Sequence, residues 1–173
     1  MKKNKLGILF WITGLPGSGK TVIGNLLLKK ISSNYGPTIL LSGDDLRKDF
    51  SIIGYKKKER LKIGLMYSKF FLRILKRNIN IIFSGVVLSH RIQKYNRKKI
   101  KNYIEIFIDS DISKNKKIKK IYNKTKNVVG MDIVPEYPLN PEVKVFNNFK
   151  KPLKKLSKEI FILIKKKIYI YDF

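Results

Sequence analysis

The chain has 173 residues, enough for one hydrophobic core and too few for two ordinary domains. It carries 39 Lys plus Arg against 12 Asp plus Glu, a formal net charge of +27, and it has no cysteine, which excludes disulfides and thiolate metal sites. Such a charge suits anionic partners, but the lysines run from Lys2 to Lys167 and alanine is absent altogether, so compositional drift with a preference for anionic small molecules is expected ahead of a nucleic-acid surface.

The chain opens with lysines and an apolar run, an outline shared with signal peptides. No small-residue cleavage site follows, and no other apolar run approaches the ~20 residues of a membrane span. A cytoplasmic protein with no membrane partner is the expectation. Residues 8–12 (Ile-Leu-Phe-Trp-Ile) predict a buried strand with Trp11 in the core. Directly after it comes Gly14-Leu15-Pro16-Gly17-Ser18-Gly19-Lys20-Thr21, which fits G-x-x-x-x-G-K-[ST] between a strand and a helix. Its glycines let several backbone N–H groups converge on phosphates, and the helix starting there adds its positive end. Lys20 is placed to reach the β- and γ-phosphates of ATP and the Thr21 hydroxyl to bind magnesium.

Residues 21–31 predict a helix with Val22, Leu26 and Leu27 near one face, and residues 38–41 a second strand. Ser42-Gly43-Asp44-Asp45-Leu46-Arg47 then stands beyond the carboxyl end of that strand, where open α/β sheets gather ligand groups. Two readings of this segment compete. Asp44 accepts the proton of an attacking hydroxyl, or holds a magnesium-bound water, while Arg47 clamps an anion; alternatively Asp44 or Asp45 merely caps a helix beginning at Leu46. Residues 59–77 predict a helix carrying Leu61, Leu65, Phe70 and Leu72, with Tyr67, Phe70 and Phe71 expected as a buried face or a dimer contact ahead of base stacking. Residues 80–83 and 103–108 predict two more strands, and the one histidine, His90, falls in the loop between them. Residues 110–150, with Pro135, Pro138 and Pro141, suggest a lid or substrate-covering loop, and residues 152–167 a closing helix with Pro152 in its first turn. Strands alternating with helices imply an α/β fold with a mostly parallel sheet.

The P-loop, the Gly43-Asp44-Asp45-Leu46-Arg47 segment, Gly54-Tyr55, Glu59-Arg60, Arg91, the run from Glu105 to Asp109, Gly130-Met131-Asp132, Pro138 and Pro141-Glu142 together resemble the adenylylsulfate (APS) kinase family in order and spacing. The resemblance covers roughly residues 8–142. It implies a P-loop kinase fold spanning residues 1–173, ATP and Mg2+ as cofactors, a homodimer, and transfer of the ATP γ-phosphate to a ribose 3′-hydroxyl. By the same resemblance Asp44 stands near the acceptor hydroxyl, and Arg47 and Arg60 grip the substrate. Lys116 and Lys119 fall in the nucleotide-covering loop, and Lys126, Asn127 and Asp132 lie toward the substrate.

The departures from the family pattern cluster on the acceptor side. Ser42 and Asp45 flank Gly43-Asp44 where the family has Asp and Asn, and the stretch after Arg60 is shortened to Leu61-Lys62-Ile63-Gly64. Leu88 stands where some members carry a serine, and Val87 and Leu88 are expected on the substrate side by the same resemblance. The substrate adenine of the family lies between two aromatic rings, at the positions of Tyr55 and Val128, so one ring is missing here. A smaller base becomes plausible, and the resemblance extends to the cytidine diphosphoramidate kinases of capsular phosphoramidate synthesis. APS itself is the alternative acceptor, and a basic nucleic-acid-binding ATPase a second alternative, although no acidic pair of Walker B type follows a strand.

Overall fold

The computed structural model describes residues 6–111 and 126–171. Five strands form one parallel sheet: β1 (Leu9–Gly14), β2 (Thr38–Ser42), β3 (Asn80–Gly85), β4 (Tyr103–Ser110) and β5 (Val143–Asn147). Their order across the sheet is β2-β3-β1-β4-β5. The helices are α1 (Lys20–Tyr35), α2 (Gly43–Asp49), α3 (Lys57–Leu75), α4 (His90–Lys99) and α5 (Leu153–Tyr171). This is the doubly covered α/β architecture of P-loop kinases.

The alternation of side chains along β1 divides the core in two. Ile8, Phe10 and Ile12 pack with Ile23, Leu27 and Ile31 of α1 and Leu156, Ile160 and Ile164 of α5. Leu9 and Trp11 pack on the opposite face with Tyr67, Phe71 and Leu75 of α3 and Ile92 of α4. Trp11 is fully buried, with its ring centroid 4.3 Å from that of Phe83. Because both faces of β1, β3 and β4 are covered, these strands are apolar almost throughout.

Four sequence expectations are corrected. The inward face of α1 is Ile23, Leu27 and Ile31, and Val22 is half-exposed, since the helix starts at Lys20 and turns Val22 toward solvent. On α3 it is Tyr67 and Phe71 that are buried, while Phe70 points outward against Phe50. His90 opens α4 instead of lying in a loop; this helix is so polar, with Ile92 as its one aliphatic residue, that no apolar stripe announces it. The segment expected to be a loop contains β5, a short edge strand whose outward Lys144 and Phe146 alternate with buried Val143, Val145 and Asn147.

The chain between residues 126 and 142 is fastened to the sheet and to α3 and α4 by charge. Arg97 of α4 pairs with Glu142 and, at 2.9 Å, with the buried Glu105 of β4, and it also donates to Asn140 O. Burial pushes the Glu105 carboxyl up and Arg97 opposes that shift, so the guanidinium is what keeps this carboxylate compatible with the core. Glu136 accepts from the His90 backbone N–H and pairs with Lys57 at the start of α3, and the His90 ring meets Tyr137 O. Among the described residues no helix is long and apolar enough to cross a membrane.

Candidate active site

β1 ends at Gly14, where the chain must turn sharply beneath the next strand. Gly14 has φ +153°, and a Cβ there would collide with Ile108 O and stand 2.9 Å from Ser18 Oγ. Gly19, at φ +95°, precedes α1 without a side-chain cap, and the first turn of α1 holds no acidic residue. The uncapped N–H groups of that turn therefore present an uncompensated positive end. Asn147, from the end of β5, donates through Nδ2 to Ser18 O at 3.0 Å and accepts from Phe149 N at 3.0 Å, so the last strand holds the loop in place.

Lys20 is 7% exposed and folds back on this loop, with Nζ 2.7 Å from Leu15 O and 3.4 Å from Ser18 Oγ. Burial lowers its pKa to about 8, and the Asp44 carboxylate opposes that fall. A largely desolvated ammonium beside converging N–H groups is a site that gains by taking up an anion.

The P-loop forms one wall of a cleft of about 680 Å³ that continues to the ends of β2 and β3. Pro16, Gly17, Gly19, Lys20 and Thr21 line it at one end. Asp44, Arg47, Tyr55, Arg60, Val87, Lys126, Asn127 and Val128 line the other. Asp44 stands in the first turn of α2, whose cap is Ser42: the Ser42 hydroxyl accepts from Asp45 N at 3.2 Å. Neither Asp44 nor Asp45 caps the helix, which begins at Gly43 and not at Leu46, and the Asp44 carboxylate is left to the cleft.

Arg47 donates to Gly54 O at 2.9 Å, and its guanidinium lies 4.5 Å from the centroid of the Tyr55 ring. Arg60 donates from Nε to Tyr55 O at 2.8 Å and from Nη2 to Asn127 O at 3.0 Å. One guanidinium thus joins the Tyr55 loop to the Asn127-Val128 turn and places both on a single wall. Burial, and then the nearby Arg47 cation, lower the Arg60 pKa, while Tyr55 and Asp44 act the other way.

Five of the sequence-predicted residues do not line the cleft. Gly14 and Ser18 shape the loop from behind. Leu15 and Leu88 pack with Phe107 and Val129 in a small separate core, because the chain after β3 turns Val87 inward and Leu88 away. Asp132 accepts from Val128 N at 2.8 Å and fixes the turn that carries Val128, so its carboxylate is occupied in holding the wall. Lys116 and Lys119 lie outside the described residues.

Sequence reading missed Asn147, Phe149 and Lys151 at the P-loop end and Ser84 and Val86 at the other, where it had Ile63 and Gly64 only as part of a shortened stretch and gave Tyr67 no place in the site. The rule that ligands sit beyond strand carboxyl ends reaches Ser84 and Asn147 once β3 and β5 are delimited. Nothing in a linear pattern separates Tyr67 from a core aromatic.

The donor set suits magnesium, a cation that keeps several waters and takes one or two protein oxygens beside substrate phosphates. Thr21 and Asp44 supply a hydroxyl and a carboxylate to the same cleft. Among the described residues no cluster of three or more His, Cys, Asp or Glu forms an all-protein metal cage.

Residues 6–146 match the adenylylsulphate kinase family. A cytidine diphosphoramidate kinase of Campylobacter jejuni is 35% identical over 145 residues, covering 80% of this chain and 84% of the relative. A probable adenylyl-sulfate kinase of Archaeoglobus fulgidus is 30% identical over 148 residues, covering 81% and 96%. Among solved structures, the APS kinase of Mycobacterium tuberculosis in complex with AMPPNP and APS superposes with a TM-score of 0.77 at 19% identity, covering 92% of this chain and 98% of that one. The P-loop, the cleft and the extent of these matches lead to one conclusion: the chain belongs to the adenylylsulphate kinase family and is a kinase.

Proposed function

We propose that this kinase uses ATP and Mg2+ to phosphorylate the ribose 3′-hydroxyl of a small nucleotide, with cytidine diphosphoramidate as the acceptor, in capsular phosphoramidate synthesis. The observation that carries the choice of acceptor is the wall joined by Arg60, which offers one aromatic ring, Tyr55, and opposite it in sequence role the short aliphatic Val128. A base–aromatic stack is worth about 1–3 kcal/mol, so a wall with one ring loses more with a purine than with a pyrimidine of smaller face. The 35% identity to a kinase named for the cytidine compound supports the same reading. The family name and the matches to adenylyl-sulfate kinases support APS as the second acceptor.

Each residue then has a physical task. Lys20 and the N–H groups of the P-loop neutralise the β- and γ-phosphates, and Thr21, with Asp44 through water, holds the magnesium that supplies further charge stabilisation. Asp44 accepts the proton of the acceptor hydroxyl, and Arg47 and Arg60 fix the acceptor's charged end. Lys126 and Asn127 border that end, and Lys116 and Lys119 are the proposed cations covering ATP. The protein acts in the cytoplasm as a homodimer in this reading.

A coupled assay of ADP release with each acceptor tests it. Turnover is expected with cytidine diphosphoramidate in preference to APS, and turnover of APS alone overturns the choice. Asp44→Asn is expected to lower kcat by about 10²–10⁴-fold while leaving the melting temperature within a few degrees, because the helix cap is Ser42. An unchanged kcat at saturating acceptor removes Asp44 from the role of base.

A further inference from the structure

Two hydroxyl-bearing residues that the scheme above does not use line the acceptor half of the cleft. Tyr67 of α3 is 4% exposed, Ser84 of β3 is 3% exposed, and both line the cleft. Among the described residues neither Tyr67 Oη nor Ser84 Oγ has a hydrogen-bond partner. A hydroxyl withdrawn from water without a partner bears the full desolvation cost of that group, so folded proteins rarely retain one unless something else completes it.

Both residues belong to elements that pack against the turn carrying Asp44. Ser84 is in register with Ser42 on the neighbouring strand, and Ser42 caps the helix whose second residue is Asp44. The Tyr67 ring packs 5.8 Å from Phe83, and Phe83 in turn reaches within 3.6 Å of where a Cβ on Gly43 would stand. Asp44, Arg47 and Tyr55 are the groups whose charges bear on the Tyr67 hydroxyl, and burial raises its pKa, so it stays a neutral O–H that can both donate and accept. Among the neighbouring lining residues Ile63, Gly64, Val86 and Val87 are apolar, and the charged ones, Asp44, Arg47 and Arg60, already have tasks in the scheme above. The group recognised is therefore neutral, able to donate and accept, and close to the hydroxyl that Asp44 faces. In a ribonucleotide the 2′-hydroxyl, on the carbon next to the reacting one, meets all three conditions.

We propose that Tyr67, with Ser84 as a second contact, recognises the 2′-hydroxyl of the acceptor ribose and makes this kinase selective for ribonucleotide over 2′-deoxyribonucleotide acceptors. The inference rests on the reading of Asp44 as the group that faces the 3′-hydroxyl. Tyr67 is a specificity-determining residue in this role.

The test compares wild type with Tyr67→Phe and Ser84→Ala on cytidine diphosphoramidate, on APS, and on the 2′-deoxy counterpart of each. Wild type is expected to favour the ribose form, and Tyr67→Phe to lose on the order of 10- to 100-fold in kcat/KM with the ribose form, while the two enzymes turn over the 2′-deoxy form alike. Ser84→Ala gives a smaller loss with the same dependence on the 2′-hydroxyl. In the absence of acceptor, Tyr67→Phe melts no lower than wild type, because the hydroxyl it removes has no partner to lose. Equal losses on ribose and 2′-deoxy acceptors, or no loss on either, overturn the proposal, and so does a lowered melting temperature that accounts for the loss. If wild type turns over neither acceptor, the acceptor reading itself fails and takes this role with it, an outcome distinct from turnover without 2′-dependence.

Discussion

Lys20 is the residue at which burial and function oppose each other most directly. Its ammonium is 7% exposed and spends its hydrogen bonds on Leu15 O and Ser18 Oγ, and desolvation brings its pKa from 10.5 to about 8 despite the help of Asp44. A lysine whose pKa falls on folding destabilises the folded state wherever both states are protonated, here below about pH 8. Between about 8 and 10.5 the unfolded chain binds the extra proton, so this contribution makes stability rise with pH. The shift corresponds to about 3 kcal/mol. Lys20→Met is therefore expected to be more stable than wild type at pH 7 by urea unfolding, with the gap closing as pH is raised through that window. Catalysis moves in the opposite direction. The form of the enzyme that captures phosphates needs the charged lysine, so kcat/KM for ATP is expected to fall above about pH 8, while kcat, which reports the complex, holds to higher pH. A gap that widens with pH, or a kcat/KM flat to pH 10, contradicts this account of Lys20.

At the scale of elements, the site depends on a strand far from it in sequence. Asn147 ends β5 and donates to Ser18 O in the P-loop, so the phosphate end is held from 129 positions away. Asn147→Asp keeps the acceptor for Phe149 N and loses the donor to Ser18, which is expected to raise the KM for ATP and to destabilise the fold by about 1–3 kcal/mol, with kcat for bound substrates less affected. An unaltered KM shows that the loop holds its shape without β5. The same contact explains what a linear reading could find. Strands β1, β3 and β4 are legible because burial on both faces makes them largely apolar runs, and the partly buried edge strand β2 still reads through Ile39, Leu40 and Leu41, whereas β5 is a five-residue edge strand exposing Lys144 and Phe146 after a stretch rich in Pro and Asn. Helix α4 is mostly polar and hides its one deeply buried aliphatic, Ile92, among basic residues. The P-loop and the Asp44-Arg47 segment are local motifs and are visible at once. Ser84 and Asn147 become visible only once the ends of β3 and β5 are known, and Tyr67 enters the cleft through tertiary closure, which no spacing rule encodes.

For the whole molecule, the net charge of +27 asks whether the surface or the cleft uses it. Among the described residues Lys20, Arg47, Arg60, Lys126 and Lys151 line the cleft against one carboxylate, Asp44, so the same sign that covers the surface is focused where two anionic substrates meet in the proposed reaction. Cations clustered in a concave site raise the rate at which anions arrive, and salt screens that long-range part within about 8–10 Å at ordinary ionic strength. Groups already in contact inside the cleft are screened much less. Raising NaCl from 50 to 500 mM is therefore expected to lower kcat/KM for both substrates several-fold and to leave kcat nearly constant. A dedicated nucleic-acid surface makes a different prediction: random single-stranded DNA then stimulates ADP release without any acceptor, and its binding weakens steeply with salt. ADP release that needs the nucleotide acceptor and is only weakly inhibited by DNA assigns the working part of the charge to the cleft. DNA-stimulated hydrolysis instead assigns it to the surface and reverses the order of the two functional readings.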